Sequence, residues 1–265
     1  MSATSTAVVT GAARGLGRLI AEALAGRGYQ VLCTDVDGAG AEATARAIGP
    51  SAWGLAQDVR DPDSHRRIAA AATARAPLAV WVNNAGVLHV GAAWEATEAE
   101  VRRMVDVNLL GVVWGSQAAV AAMPQGGHLI NVASLSAYVP APGLAVYAAT
   151  KAAVVGFTTA LAGDLQRARI PVHACAICPD AVHTDMVKQV AHHDASDILF
   201  SAGRMLRAED VAAAVLASLD RPRLIRILPP SRGALAHALH PFPALGLRLL
   251  EGFAALGHRR KAKRV

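Results

Sequence analysis

The sequence predicts a doubly wound α/β fold, in which one parallel sheet carries helices on both faces. Three observations predict it. Seven short apolar runs recur along the 265 residues, most lacking the polar alternation of a half-exposed strand, as expected of strands buried on both faces. Helix-length amphipathic stretches separate them. The first run also leads directly through a glycine-rich turn into a helix, the unit from which such sheets are built. Hydrophobic residues make up 53% and charged residues 17%, ample for one sizeable core, and the length suits one large domain.

Taken in order, strands are expected at Ala7–Thr10, Gln30–Thr34, Trp53–Gln57, Ala79–Asn83, Gly127–Ala133, Val172–Cys178 and Leu224–Leu228. Helices are expected at Gly15–Arg27, Gly40–Ile48, Pro62–Arg75, Thr97–Met123, Val146–Arg169, Met186–Phe200 and Ala208–Leu219. The segment from Val146 to about Leu165 carries no proline and is rich in alanine and leucine, so it reads as helix. No repeat or long linker divides the chain. Residues 1–230 therefore read as one domain, followed by an extension over 231–265.

The first turn, Thr10-Gly11-Ala12-Ala13-Arg14-Gly15-Leu16-Gly17, has the context a pyrophosphate needs: strand, glycine turn, helix N-terminus. Backbone amides and the helix dipole bind the anion, and glycine lets the main chain approach it. Its spacing is Gly-x-x-x-Gly-x-Gly. Gly11, Arg14, Gly15, Leu16 and Gly17 are the candidate contacts. Asp35, ending the second strand, is placed for the ribose hydroxyls of adenosine and would repel a 2′-phosphate, favouring NAD over NADP. Arg14 is a possible holder of that phosphate, but a carboxylate directly at the ribose outweighs it. Asp58, with its neighbour Val59, is a candidate contact for adenine, or a loop or capping aspartate.

Cys33, Cys175 and Cys178 are too few for a disulfide framework, and a reducing, cytosolic setting follows. Cys175 and Cys178 lie in a strand, where a three-residue offset sends the thiols to opposite faces, so they read as small buried residues. No set of His, Cys, Asp and Glu shows metal spacing; His192-His193 reads as a surface patch on a helix, its imidazoles diverging. No purely apolar run of 18 or more residues and no basic leader points to a membrane span or signal peptide. The net charge of +6 is mostly a tail: five cations between Arg259 and Arg264 leave about +1 for the rest.

Tyr147 and Lys151 stand four residues apart on the predicted helix, so phenol and ammonium share one face. A lysine charge there is expected to pull the tyrosine below its usual value of about 10, making it a proton donor and acceptor near neutral pH.

With these residues in view, the chain resembles the short-chain dehydrogenase/reductase family over roughly residues 5 to 230, in its form of about 250 residues, with a Rossmann-type fold. Thr10–Gly17 looks like the family's glycine turn. Asn83-Asn84-Ala85-Gly86 is similar to its fourth-strand motif beside the cofactor, in which Asn84, Ala85 and Gly86 would touch NAD. Asn108 sits where the family places an active-site asparagine, and Ser134 lies 13 residues before Tyr147, at the family's serine spacing. Pro179-Asp180-Ala181-Val182-His183-Thr184 is similar to the stretch flanking nicotinamide, with Pro179, Val182 and Thr184 as contacts. The resemblance implies hydride transfer to or from nicotinamide. Tyr147 would exchange a proton with the substrate oxygen, and Lys151 would hold the nicotinamide ribose. Ser134 would donate to the developing alkoxide, and Asn108 would anchor a water connecting Lys151 to solvent. A homo-oligomer, dimer or tetramer, is implied as well. The alternative is a nucleotide-sensing or scaffolding protein of the same fold without turnover.

Asp180 replaces the family's usual glycine, and either contacts a polar substrate group or points to solvent. The substrate pocket is expected from Leu135–Leu144, His89–Val90 and Asp180–Phe200, with Ser136, Leu144, Asp180 and Met186 as substrate contacts. It is mostly apolar, and no Arg or Lys is evidently placed to clamp an anion, which suits a small lipophilic secondary alcohol or ketone. Beyond the last strand, Ala234–His240 and Ala244–Leu256 read as apolar helices broken by Pro241-Phe242-Pro243. Packing over the cleft or against a neighbouring subunit ranks first for this extension and peripheral membrane contact second. Nucleic acid ranks last, since no stacking aromatics accompany the charge.

Overall fold

The computed structural model describes residues 5–190, 192–200, 205–242 and 244–249. Seven strands form one sheet: β1 (Thr6–Thr10), β2 (Gln30–Asp35), β3 (Ala52–Ala56), β4 (Leu78–Asn83), β5 (Gly127–Val132), β6 (Val172–Pro179) and β7 (Ile225–Leu228). All pairings are parallel and the order is β3-β2-β1-β4-β5-β6-β7. Each strand falls within one residue, at either end, of its expected range. β1, β2, β4, β5 and β6 are largely buried, which their continuous apolar runs anticipate; β3 and β7 are edges and remain partly open. The strand order reverses between β1 and β4, and the crevice at the carboxyl ends of such neighbours is where this architecture binds ligands.

Helices α1 (Gly15–Gly26), α2 (Gly38–Ile48), α3 (Pro62–Thr73), α4 (Glu98–Val105), α5 (Gly111–Ala122), α6 (Ala145–Ala168), α7 (Asp185–Val190), α8 (Ala208–Asp220) and α9 (Pro230–Leu239) connect or follow the strands. α1 and α8 pack one face of the sheet with Ile20, Leu24, Val211 and Val215, while Trp81, Met123, Leu129 and Leu165 fill the other. Cys175 joins the first cluster and Cys178 a third, beside Val154, so the two thiols do face opposite ways.

Two helices depart from expectation. The single helix foreseen over Thr97–Met123 is interrupted by a π turn at Asp106–Leu110. That foreseen over Met186–Phe200 is α7 followed by a tight turn at Asp194–Phe200, so His192 and His193 lie in the break and not on a helix. Helices 98–122 and 145–168 reach the length and apolarity of a membrane span; both pack on the sheet or on each other, and both carry candidate site residues.

Candidate active site

A cleft of about 600 Å³ runs along the carboxyl ends of β1, β2, β4, β5 and β6. At one end the glycine turn is shaped by contacts that differ from glycine to glycine. Gly11 has φ +67°, and a side chain there would sit 2.7 Å from Ala85 Cα. A side chain on Gly17 would meet the Gly11 carbonyl oxygen at 2.1 Å. Gly15 has φ +57° and open space in front of it. Asn84 braces the turn, donating from Nδ2 to the oxygens of Thr10 at 2.9 Å and Gly11 at 3.1 Å. No side chain caps α1 and its first turn holds no acid, so its leading N–H groups are left for an anion. Arg14, Gly15, Leu16, Ala85 and Gly86 all line this end.

Asp35 reaches the same end from β2. Its Oδ2 accepts from Ala13 N and its Oδ1 from Asp37 N, both at 3.1 Å, which fixes the carboxylate against the turn and leaves a lone pair on each oxygen. Beside it Val36 lines the cleft while 74% exposed, an apolar surface that the sequence reading passed over. Asp58 also lines the cleft, but its carboxylate is held by Arg60, with Nη2 at 2.6 Å from Oδ2, and that hydrogen bond lowers its pKa. It does not cap α3, which is capped by Asp61. Val59 is buried and turns its carbonyl to His65 Nε2 at 2.9 Å.

At the centre, α6 carries Tyr147 and Lys151 onto one face. Lys151 is buried; Nζ donates to Val132 O at 2.8 Å and lies 5.7 Å from the Tyr147 ring centroid. The expected depression of the tyrosine is not found in this chain alone. Removal from water pushes Tyr147 up to about 12, and the opposing influence is a hydrogen bond with Ser134 rather than the lysine. Burial drives Lys151 down to about 8. Ser134 caps the short turn Leu135–Ala137, its Oγ accepting from Ser136 N at 3.2 Å.

Asn108 sits fully buried on the π turn. Its Oδ1 accepts from Val87 N at 2.8 Å, and Nδ2 donates to Val87 O at 2.9 Å and to Thr150 Oγ1 at 3.4 Å. Both amide hydrogens are thus engaged, so the side chain pins the Val87 loop and the helix of the tyrosine, while Oδ1 keeps a second lone pair. A π turn inside a long helix is itself a frequent mark of a functional position.

The far end differs from expectation in its lining. Ser136, Val139, Pro140, Leu144, Met186 and Leu199 are there as foreseen, but Val87 and Leu88 replace His89 and Val90, and Ile198 replaces Phe200. His89 turns instead to Glu100, 3.2 Å away. Pro179, Val182 and Thr184 line the cleft, with the Val182 backbone pinned by a parallel bridge to Leu206. Asp180 lines it too, and Arg232 of α9 answers it, Nη1 lying 2.7 Å from Oδ2. Burial raises the Asp180 pKa while Arg232 and the Ala181 N–H pull it back. Arg232 thus reaches the substrate end unforeseen, its charge answered by Asp180. Arg232 escaped notice because its position follows from how α9 lies across β7, which no local pattern encodes. Ser136 Oγ is buried with no hydrogen-bond partner among the described residues.

Residues 5–195 match the family model described as short chain dehydrogenase. The chain is 34% identical over 214 residues to the 3-oxoacyl-acyl-carrier-protein reductase of Escherichia coli, covering 79% of this chain and 87% of that one. It is 32% identical over 221 residues to the 3-beta-hydroxysteroid dehydrogenase of Comamonas testosteroni, covering 79% and 86%. A short chain dehydrogenase/reductase from Burkholderia phymatum, solved in complex with NAD, superposes with TM-score 0.82 at 29% identity over 92% of this chain and 95% of its own. A 3-ketoacyl-acyl-carrier-protein reductase from Brucella melitensis, complexed with NADH, gives 0.76 at 30% identity, covering 84% and 96%. Fold, motif order and relatives agree: the chain belongs to the short chain dehydrogenase family of oxidoreductases.

Proposed function

We propose that this chain is an NAD(H)-dependent oxidoreductase that interconverts a lipophilic secondary alcohol and its ketone. The observation that carries the reading is the meeting, in one cleft, of Tyr147, Ser134 and Lys151 with the glycine turn and Asp35. The turn fits a dinucleotide: uncapped amides at α1, open space at Gly15, and a fixed carboxylate with free lone pairs for a ribose. Gly11, Arg14, Gly15, Leu16 and Gly17 would hold the pyrophosphate, Asp35 the adenosine ribose, and Val36 the adenine face. Lys151 would hold the second ribose, and Thr184 and Val182 the carboxamide. A bound nicotinamide would supply or accept the hydride.

The protein's part is the proton. Tyr147 gives its phenolic proton to the substrate oxygen in reduction and takes it back in oxidation, while Ser134 donates to the same oxygen as charge develops there. Lys151, poised near pH 8, keeps a positive charge behind the phenol at neutral pH. Asn108 clamps α6 to the Val87 loop and would anchor, through its remaining acceptor capacity, the water that links Lys151 to solvent. Ser136, Leu144, Met186 and the Asp180–Arg232 pair would face the substrate. Val139, Pro140, Leu144, Ile198 and Leu199 supply an apolar wall, and the names of two relatives denote a 3-oxoacyl group and a hydroxysteroid, a ketone and an alcohol on apolar frameworks. Support for NAD comes from Asp35 and from the NAD and NADH complexes of similar chains.

A screen of apolar secondary alcohols and ketones for NADH formation or consumption tests the reaction. Turnover with NAD should exceed that with NADP, and Asp35→Ala should narrow the gap. A native preference for NADP overturns the cofactor assignment; cofactor binding without turnover on any substrate favours a nucleotide sensor. A second copy of the chain is proposed to cover α6, where Ala149, Ala152, Gly156, Ala160 and Gly163 form an exposed stripe of small residues. Sedimentation as a monomer would remove that partner.

A further inference from the structure

Residues 231–265 hold seven Lys and Arg against one Glu, so the whole net charge of +6 belongs to this extension and residues 1–230 sum to zero. The same segment gathers apolar surface. Of the eleven large hydrophobic side chains that stand exposed among the described residues, five lie between Leu235 and Leu249: Leu235, Phe242, Leu245, Leu247 and Leu249. A soluble surface normally scatters such residues singly.

The segment is also fixed in place beside the cleft mouth. Arg232 pairs with Asp180, His240 Nδ1 donates to the Tyr138 backbone carbonyl at 3.1 Å, and the His237 and His240 rings meet Tyr138 edge-on. The helical stretch 244–249 packs through Gly246 on Pro140, which lines the cleft, with 3.4 Å from a side-chain position on the glycine to the proline ring. Met186, 37% exposed, lies on the same rim.

We propose that the C-terminal segment docks the protein on an anionic lipid bilayer, with Leu235 and Phe242–Leu249 seated among the acyl chains and the cleft mouth turned toward the membrane. The charge complementarity selects this occupant. Arg232 is already answered by Asp180, but the remaining cations of a second copy would still meet like charge, whereas an anionic lipid surface neutralises them, and stable anchoring takes an apolar element together with a basic one. The docking deepens the lipophilic-substrate reading and rests on it for one consequence, direct delivery of an apolar alcohol or ketone from the bilayer. The binding itself does not depend on it.

The test is flotation of the full chain with vesicles, which needs no substrate. The protein should rise with phosphatidylglycerol-containing vesicles and stay behind with pure phosphatidylcholine. Leu245→Glu/Leu247→Glu/Leu249→Glu, all at exposed positions, should abolish flotation while leaving the circular dichroism melt unchanged. Replacing Arg259, Arg260, Lys261, Lys263 and Arg264 by Gln should weaken it at least about a hundredfold, given roughly fivefold per charge near an anionic surface. No flotation of the native chain, or flotation indifferent to both variants, overturns the proposal. So does a leucine-dependent dimer in sedimentation that ignores vesicles, which would make the second copy the occupant.

Discussion

The two ends of the cleft are built in opposite ways. The glycine-turn end is main chain braced by side chains close by: the close approach of Gly11 to Ala85 sets its shape, the Asn84 amide and the Asp35 carboxylate hold it, and each lies at a strand end or in the turn that follows one. The substrate end is made of side chains brought from afar, with Asp180 at the end of β6 meeting Arg232 from beyond β7. At the first end close backbone contacts at Gly11 and Gly17 leave little room for change. The second is held by an ion pair and apolar packing, and can change without disturbing the sheet. Binding of a common cofactor and choice of substrate are thereby separated.

Breaking the chemistry between the two ends should have the largest effect. Tyr147→Phe should lower kcat about a thousandfold or more, within the range for losing a general acid–base group, with cofactor affinity by calorimetry changed less than twofold. Residual turnover near the native rate would show that the proton comes from elsewhere.

The contrast itself is tested next. Gly17→Ala must push against the Gly11 carbonyl, so we expect about 1–3 kcal/mol of lost stability and cofactor binding weakened about tenfold or more, read by urea titration and calorimetry. Gly15→Ala meets open space and is strained only by its positive φ, so about 1 kcal/mol is expected. Equal costs would mean that close packing does not shape the turn.

At the substrate end, Arg232→Met leaves the half-buried Asp180 without its cation. KM for the alcohol or ketone should shift several-fold, with KM for cofactor unchanged. Adding Asp180→Asn should recover part of the loss, because two neutral groups cost less than one unpaired charge. A matching change in cofactor KM would merge the two ends into one unit.

The smallest effects are in pH. Alcohol oxidation needs the Tyr147 phenolate and ketone reduction the phenol, so kcat/KM should rise with pH for the first and fall for the second; parallel profiles would exclude a shared tyrosine. For stability the sign follows Lys151. Its folded pKa of about 8 lies below its ordinary 10.5, so between those values the unfolded chain holds more protons and stability rises with pH. The difference between native chain and Lys151→Met in urea midpoint should therefore move in the native chain's favour from pH 7.5 to 9.5, and a flat difference would mean the ammonium is not buried.

How much was legible in the sequence follows the same division. The strands were legible within a residue because continuous apolar runs have few alternatives once helices intervene. The positions of Tyr147, Lys151, Ser134 and the glycines in one cleft followed from motif and spacing. What lay hidden depends on burial or on distant packing. The rise of Tyr147 is a desolvation effect that i, i+4 proximity does not reveal. The cation at Asp180 comes from the path of α9. The commitment of Asp58 to Arg60 is a matter of rotamers. Residues 250–265, including the basic run, lie outside the described residues, and their reading rests on sequence alone.

The π turn at Asp106–Leu110 has a consequence for how this chain tolerates insertions and deletions. One turn of the rod from Glu98 to Ala122 is overlong by a residue, which resets the angular phase between α4 and α5. Deleting a single residue there would restore regular helical pairing, yet it would turn one half of the rod by about 100° relative to the other. Asn108 would leave Val87, or Met104 would leave its buried seat. The chain thus keeps a locally poorer helix because the better one is out of phase with the site.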